Sequence, residues 1–151
     1  MKKVYILVSL LLFSGCSTQS EKSQVSMLDM MTSADSAYSD GRLGTAETLY
    51  LKVLERDPEY TEANLKLGNI YNRQGRLDAA ASSYSEILKR NPDDARAWYN
   101  LSLTRFYQAS ATLEQGRHKV NSGSPYYSRL VNLHKYLLEV SSGIGDEENT
   151  P

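Results

Sequence analysis

This 151-residue chain has one cysteine, two histidines and no long hydrophobic run. A lone cysteine excludes a disulfide within the chain. The two histidines, His118 and His134, are far apart, and no cysteine or carboxylate lies at metal-ligand spacing from either. Packing or surface roles are therefore expected for both histidines, and the sequence predicts neither a metal site nor a cofactor.

Features of enzymes and nucleic-acid-binding proteins are also scarce. The 17 basic and 18 acidic residues nearly balance and form no basic patch, which disfavours nucleic-acid binding. Gly41 and Gly75 are isolated rather than part of a phosphate-binding loop, and no serine has a nucleophile-elbow or Ser-x-x-Lys setting. Because the carboxylates are scattered as well, we expect this protein not to be an enzyme.

The N-terminus has the pattern of a signal peptide. Lys2 and Lys3 precede an apolar segment of about ten residues, Val4 to Phe13, which is too short to span a bilayer. We therefore interpret residues 1–15 as a cleaved signal rather than part of the fold.

The residues that follow are similar to the lipobox of bacterial lipoproteins. Ser14 and Gly15 precede Cys16, which the resemblance makes the lipidated residue and the membrane anchor. Phe13 departs from the usual leucine, and an ordinary secretory signal with an incidental cysteine is the alternative. Ser17 resembles the pattern of outer-membrane lipoproteins that face the periplasm. Localisation at the inner membrane is the alternative. The polar residues 16–26 then form a flexible lipidated tether.

The centre of the chain contains a repeat of 34 residues. Residues 41–58 and 75–92 share eight identities at this single offset, from Gly41 and Gly75 to Pro58 and Pro92. A 34-residue period is typical of helix–turn–helix units that stack into a solenoid.

The second copy predicts two helices. The first covers about 61–74 and ends at Gly75, where a helix C-terminus favours a residue that tolerates positive φ. The second covers about 77–90 and ends before Pro92. We expect Gly68 and Ala80 to let the two helices approach, with Tyr71 and Tyr84 packed beside them. Tyr50 has the same packing role one repeat earlier.

These residues resemble the tetratricopeptide-repeat signature, position by position, at Leu67, Gly68, Tyr71, Gly75, Ala80, Tyr84 and Pro92. The resemblance implies an all-α, right-handed α-solenoid of helix hairpins, with two full repeats and an atypical third that ends in a capping helix. Asn64 departs from the large apolar or aromatic residue that the family prefers, and Trp98 restores it one repeat later.

The third unit leaves the pattern after Tyr107. We predict one long helix that continues toward Val120, a break at residues 121–123 and a last helix over about 125–140. The alternative is a turn at 109–112 and a short extra helix. The last helix should align five side chains on one stripe: Tyr126, Leu130, Leu133, Leu137 and Val140. The repeat domain then covers 27–140, and residues 141–151 form a disordered acidic tail.

In repeats of this kind, set positions of the first helix line the inner surface. The resemblance therefore predicts a partner-binding groove from Leu65, Asn69, Asn72, Arg73, Arg96, Tyr99, Asn100, Leu103 and Tyr107, with Phe106 nearby. Asparagines, an arginine and aromatic rings are typical of a peptide site. The alternative is that the last helix covers the aromatic side chains and makes them core.

The expected function is that of a lipid-anchored adaptor in the bacterial envelope, which holds a partner protein or peptide segment. Fold-level analogy favours assembly of a pilus or secretion complex. A structural lipoprotein associated with peptidoglycan is the alternative, since exposed tyrosines stack on sugars. So few repeats also make a homo-oligomer possible.

Overall fold

The computed structural model describes residues 26–147, and within this range the chain forms six α-helices and no strand. The helices are listed in chain order: α1 Met27–Ser39, α2 Leu43–Arg56, α3 Thr61–Arg73, α4 Leu77–Arg90, α5 Ala95–Lys119 and α6 Tyr127–Glu147. The predicted signal peptide (1–15), Cys16, nearly all of the predicted tether and residues 148–151 lie outside the described range. Each helix packs against the next along the chain, and α3 also contacts α5. The predicted all-α solenoid is confirmed.

Two glycines set the turns within the first two hairpins. Gly41 and Gly75 have φ values of 73° and 71°, which a side chain disfavours. After α3, the Gly75 N–H donates to the Asn72 carbonyl (3.0 Å) and the Arg76 N–H to the Tyr71 carbonyl (2.8 Å). This pair of bonds is a Schellman motif, which satisfies carbonyls at the helix end. Gly41 makes the equivalent pair after α1, and the sequence prediction for Gly75 is confirmed.

A close approach of α3 and α4 forms the centre of the core. Tyr84 is fully buried and its ring lies over Gly68, where a Cβ atom would come within 2.9 Å of Cδ1 and nearer still to two other ring carbons. Tyr50 is also fully buried, and Tyr71 is 9% exposed. The predicted packing roles of these tyrosines and of Gly68 are therefore confirmed.

Asn64 and Trp98 have the same role one repeat apart. The Asn64 side-chain amide donates to the Pro58 carbonyl (3.3 Å), and the Trp98 indole N–H donates to the Pro92 carbonyl (2.7 Å). Each bond ties the first helix of a repeat to the loop before it. A hydrogen bond therefore explains how Asn64 replaces the bulky residue that the family signature prefers.

The long helix predicted for the third unit is confirmed, and the alternative of a turn followed by a short extra helix is wrong. Helix α5 runs unbroken through 109–112 to Lys119, because no proline or β-branched run interrupts this segment. The break at 121–123 is also found, where the Gly123 N–H donates to the Asn121 side chain (2.8 Å).

Both ends of α6 differ from the prediction. The helix begins at Tyr127 rather than Pro125, because Pro125 and Tyr126 form a turn in which the Tyr127 N–H donates to the Ser124 carbonyl (3.0 Å). It continues to Glu147, so residues 141–147 are helical where the sequence predicted a disordered tail. No proline interrupts this segment, so the helix can propagate through it. The predicted stripe is only partly covered: Leu130 and Leu137 are half-buried, whereas Tyr126 and Leu133 are exposed.

Candidate functional site

An open groove of about 600 Å³ runs across α1, α3 and α5. We call it the inner groove, and nine residues line it: Tyr38, Asn69, Asn72, Arg73, Gly75, Leu77, Asn100, Leu103 and Tyr107. A smaller section of about 410 Å³ adjoins it at Gly75 and Leu77 and follows the second half of α5 as far as Gln115, past the hydrogen bond from Gln108 to Asp78 (2.6 Å). The extra length of α5 therefore lengthens the groove.

A chain of hydrogen bonds supports the floor of the groove. The Tyr84 hydroxyl donates to Asn69 Oδ1 (2.7 Å), and Asn72 Nδ2 donates to the Tyr84 hydroxyl (3.3 Å) and to Thr104 Oγ1 (2.9 Å). Thr104 is fully buried and also lies 2.7 Å from the Asn100 carbonyl. This network joins α3, α4 and α5, so it fixes the two walls of the groove relative to each other.

The network divides the asparagines by role. Asn72 uses both hydrogens of its Nδ2 group internally, so its amide nitrogen has a structural role. Asn69 uses its oxygen, which leaves its Nδ2 group to donate to a ligand, while Asn100 donates from Nδ2 to the Arg96 carbonyl (2.9 Å) and keeps its oxygen to accept. One donor and one acceptor on opposite walls match the two groups of a peptide backbone.

Burial raises the pKa of two tyrosine hydroxyls, one in the floor of the groove and one on α2. Desolvation raises the pKa of Tyr84 well above its ordinary value of 10. Desolvation also raises the pKa of Tyr50, and the hydroxyl's bond to Asp35 (2.6 Å) raises it further. Both hydroxyls therefore stay protonated, and keep donating, further into the alkaline range than an exposed tyrosine.

The only charged residue among the nine that line the inner groove is a cation. Arg73 is exposed and its guanidinium lies 5.6 Å from the Tyr38 ring centroid, while Lys66 Nζ lies 5.3 Å from the same ring. Both distances are within cation–π range. This end of the groove therefore favours an anionic side chain on a ligand.

Six of the nine predicted groove residues lie together in the inner groove: Asn69, Asn72, Arg73, Asn100, Leu103 and Tyr107. The other three do not line it. Leu65 is 6% exposed and belongs to the core, because α3 is covered on this side by its neighbours. Arg96 lies at the start of α5 and pairs with Glu62 (3.1 Å). Tyr99 is 55% exposed but lies outside the lining.

The alternative, in which the last helix buries the aromatic residues of α5, is wrong for Tyr99 and Tyr107. Tyr99 and Tyr107 are 55% and 42% exposed, because α6 packs against the far half of α5 and does not cover them. The ring of Tyr107 therefore lines the groove and is accessible to a ligand. It makes an edge contact with the ring of Phe106, at a centroid distance of 6.0 Å.

The sequence analysis missed Tyr38, Leu77 and Thr104. Tyr38 lies 34 residues before Asn72, so the positional rule applied to the first repeat would have found it. Leu77 belongs to a second helix of a repeat, which the rule omits. Thr104 gave no signal, since its role depends on contact with Asn72 across 32 residues.

Further structural absences apply to residues 26–147. In that range no cluster of three potential metal ligands occurs, and no helix is both long and apolar enough to cross a membrane. His118 lies 3.9 Å from Glu114 on the exposed side of α5, and His134 is half-buried in α6.

Comparison with known families agrees with this geometry. The family model described as tetratricopeptide repeat matches residues 31–94 and 73–120, more than half of the chain. The chain therefore belongs to the tetratricopeptide repeat family, and its fold and inner groove are those of a protein–protein interaction module, a class that is generally not catalytic. No curated protein matches the chain significantly.

Proposed function

We propose that this protein is a lipid-anchored adaptor of the bacterial envelope that holds an extended segment of a partner protein in the inner groove. The observation that supports the proposal most directly is the composition of the groove. The side-chain amides of Asn69 and Asn100 can form hydrogen bonds with the backbone of a bound segment. Leu103 and Tyr107 provide apolar contact. The network around Thr104 holds these groups in place before binding, which reduces the entropy cost of association.

Photo-crosslinking tests the groove with a matched pair of positions. A photoreactive residue at Tyr107, 42% exposed in the groove, should capture a defined segment of one partner in cells. The same residue at Leu51, equally exposed at 41% on α2 but outside the groove, should not. Equal capture of the same protein at both positions would refute groove binding.

A purified segment of that partner then provides the quantitative test. Replacing Tyr107 with alanine should weaken binding about tenfold, as expected for an aromatic contact at an interface centre. The Leu51→Ala variant serves as the control and should bind like the parent. Unchanged affinity in both variants would contradict the role of the groove.

The anchor rests on the lipobox-like sequence at Cys16, outside the described residues. Metabolic labelling with an alkyne fatty acid should mark the parent protein, and Cys16→Ser should abolish both the label and membrane fractionation. Localisation at the outer membrane, facing the periplasm, and a role in assembly of a pilus or secretion complex remain part of the proposal. Membrane fractions and pilus or secretion assays of the Cys16→Ser strain test them.

A peptidoglycan-associated structural role is the second candidate, favoured by exposed tyrosine rings such as Tyr99 (55%) and Tyr126 (63%). Such rings can stack on sugars. Sedimentation of the purified protein with isolated cell walls, lost on replacement of these tyrosines, would favour this role over the adaptor.

A further inference from the structure

The last hairpin is packed less completely than the rest of the protein. Helices α1 to α4 each bury at least three side chains, and α5 buries Ala97 and Thr104, which both lie in its first half. Among the described side chains of α6, none is fully buried. The second half of α5 and all of α6 thus form a two-helix extension with one helix face open.

The apolar surface of α6 is wider than its contact with α5 requires. Leu130 contacts α5, where a Cβ added to Gly116 would lie 3.5 Å from its Cδ1, and Val131 and Leu137 are half-buried as well. Beside this contact lies a second stripe of α6 at positions i, i+3 and i+7: Leu133, Tyr136 and Val140. Tyr126 lies in the turn just before the helix. The exposed fractions of Tyr126, Leu133, Tyr136 and Val140 are 63%, 51%, 62% and 37%. We call these four residues the open α6 stripe.

We propose that the open α6 stripe is the contact surface of a homodimer, in which α6 packs antiparallel against α6 of a second copy. Such a contact joins two helical hairpins into a four-helix bundle. This surface is separate from the inner groove, so the dimer leaves both grooves open to their ligands.

The charge distribution along α6 favours a second copy in this orientation. Arg129 and Lys135 lie in the first half of the helix, whereas Glu139, Asp146 and Glu147 lie in the second half. Antiparallel pairing places the basic half of each helix along the acidic half of the other. Parallel pairing would instead align like charges.

The same charges disfavour a membrane surface as the occupant. Helices that lie in the bilayer interface carry lysine and arginine on the polar face. Here the polar face has Lys135 paired with Glu139 (3.8 Å), and the helix as a whole has more acidic than basic residues.

The size of the stripe predicts a weak dimer. Its four side chains expose on the order of 350 Å² per copy, or about 700 Å² in a symmetric pair, which is small for a specific interface. A reversible equilibrium that depends on concentration is therefore expected.

Sedimentation of the Cys16→Ser protein from residue 16 onward, which lacks the predicted signal, the lipid and the thiol, tests the proposal. The average mass should rise with concentration from that of one such chain toward twice that value. Leu133→Glu should abolish the rise. The matched variant Leu28→Glu, at a position on α1 that is 73% exposed, should leave it unchanged. A monomer at all concentrations, or association that persists in the Leu133→Glu variant, would overturn the proposal.

Cross-linking distinguishes the orientation. In the Cys16→Ser background, Tyr136→Cys should link to itself with a short bismaleimide because it lies near the two-fold axis. Arg129→Cys should not, since antiparallel helices place the two copies of this residue roughly 20–27 Å apart. Efficient linkage at both positions would refute the antiparallel arrangement, and Leu133-dependent binding to anionic vesicles without dimer would refute the second copy.

Discussion

The contact between Gly68 and Tyr84 gives the sharpest test of the fold. Replacing Gly68 with alanine adds one methyl group to the middle of α3, where it meets the ring of a fully buried tyrosine. Because the hairpin is closely packed, it has no free space for the added methyl group, and the ring and the helix must move apart.

Two opposing terms determine the size of the effect. Alanine is more favourable than glycine in a helix interior by about 0.8–1 kcal/mol. Overpacking a core typically costs about 1–3 kcal/mol, and the direct overlap with the ring places this site near the upper end. The net expectation is a loss of about 1–2 kcal/mol in the free energy of unfolding, or roughly 4–8 °C in Tm for a domain of this size.

Gly44→Ala is the matched control. Gly44 also lies within a helix, at the start of α2, but nothing lies within 4 Å of an added Cβ and its φ is not positive. This variant should be unchanged or stabilised by up to about 1 kcal/mol. Urea unfolding followed by circular dichroism measures both variants. A Gly68→Ala protein as stable as the parent would show that the close approach of α3 and α4 is not present.

Three further predictions concern the turn, the network and the buried phenols. Gly75→Ala should cost about 1 kcal/mol because φ is positive there, and thermal unfolding should show a smaller loss for Gly75→Asn. Thr104→Val should destabilise the protein by about 1–3 kcal/mol because it removes the shorter of the two hydrogen bonds that Asn72 Nδ2 donates, whereas Thr104→Ser should retain most of the stability; equal losses in urea unfolding would contradict the network. Burial raises the pKa of Tyr84 in the folded state, so the stability linked to this group is fully present below pH 10, the pKa of tyrosine in the unfolded chain, and falls as the pH rises above it. Tyr84→Phe should reduce this alkaline fall by up to about 1.4 kcal/mol per pH unit, measured as Tm from pH 8 to 11.5 against the parent.

The periodic residues were sufficient to predict most of the helices. The turns at Gly41 and Gly75 require positive φ, which glycine tolerates, and the helices end before Pro58 and Pro92. Both signals can be read from sequence because local backbone sterics act in the same way in any context. The equal spacing of the repeats determines which residues occupy equivalent positions. This equivalence was sufficient to predict six of the residues that line the inner groove.

The ends of α6 were harder to predict because local signals there are weak. Residues 141–147 contain serine and glycine, which lower helix propensity without forbidding a helix. An extension of α5 and α6 beyond the repeat pattern has no sequence period to mark its boundaries.

The sequence alone determined the repeat length, the turns, the helix pairs and hence the family, since these depend on contacts close along the chain. The tertiary structure alone decided that Leu65 is core, that Tyr107 is exposed, that Thr104 anchors Asn72 and that α6 keeps an open stripe. These properties depend on which side of each helix a neighbour covers, and that follows from contacts between residues about 30 positions apart or more.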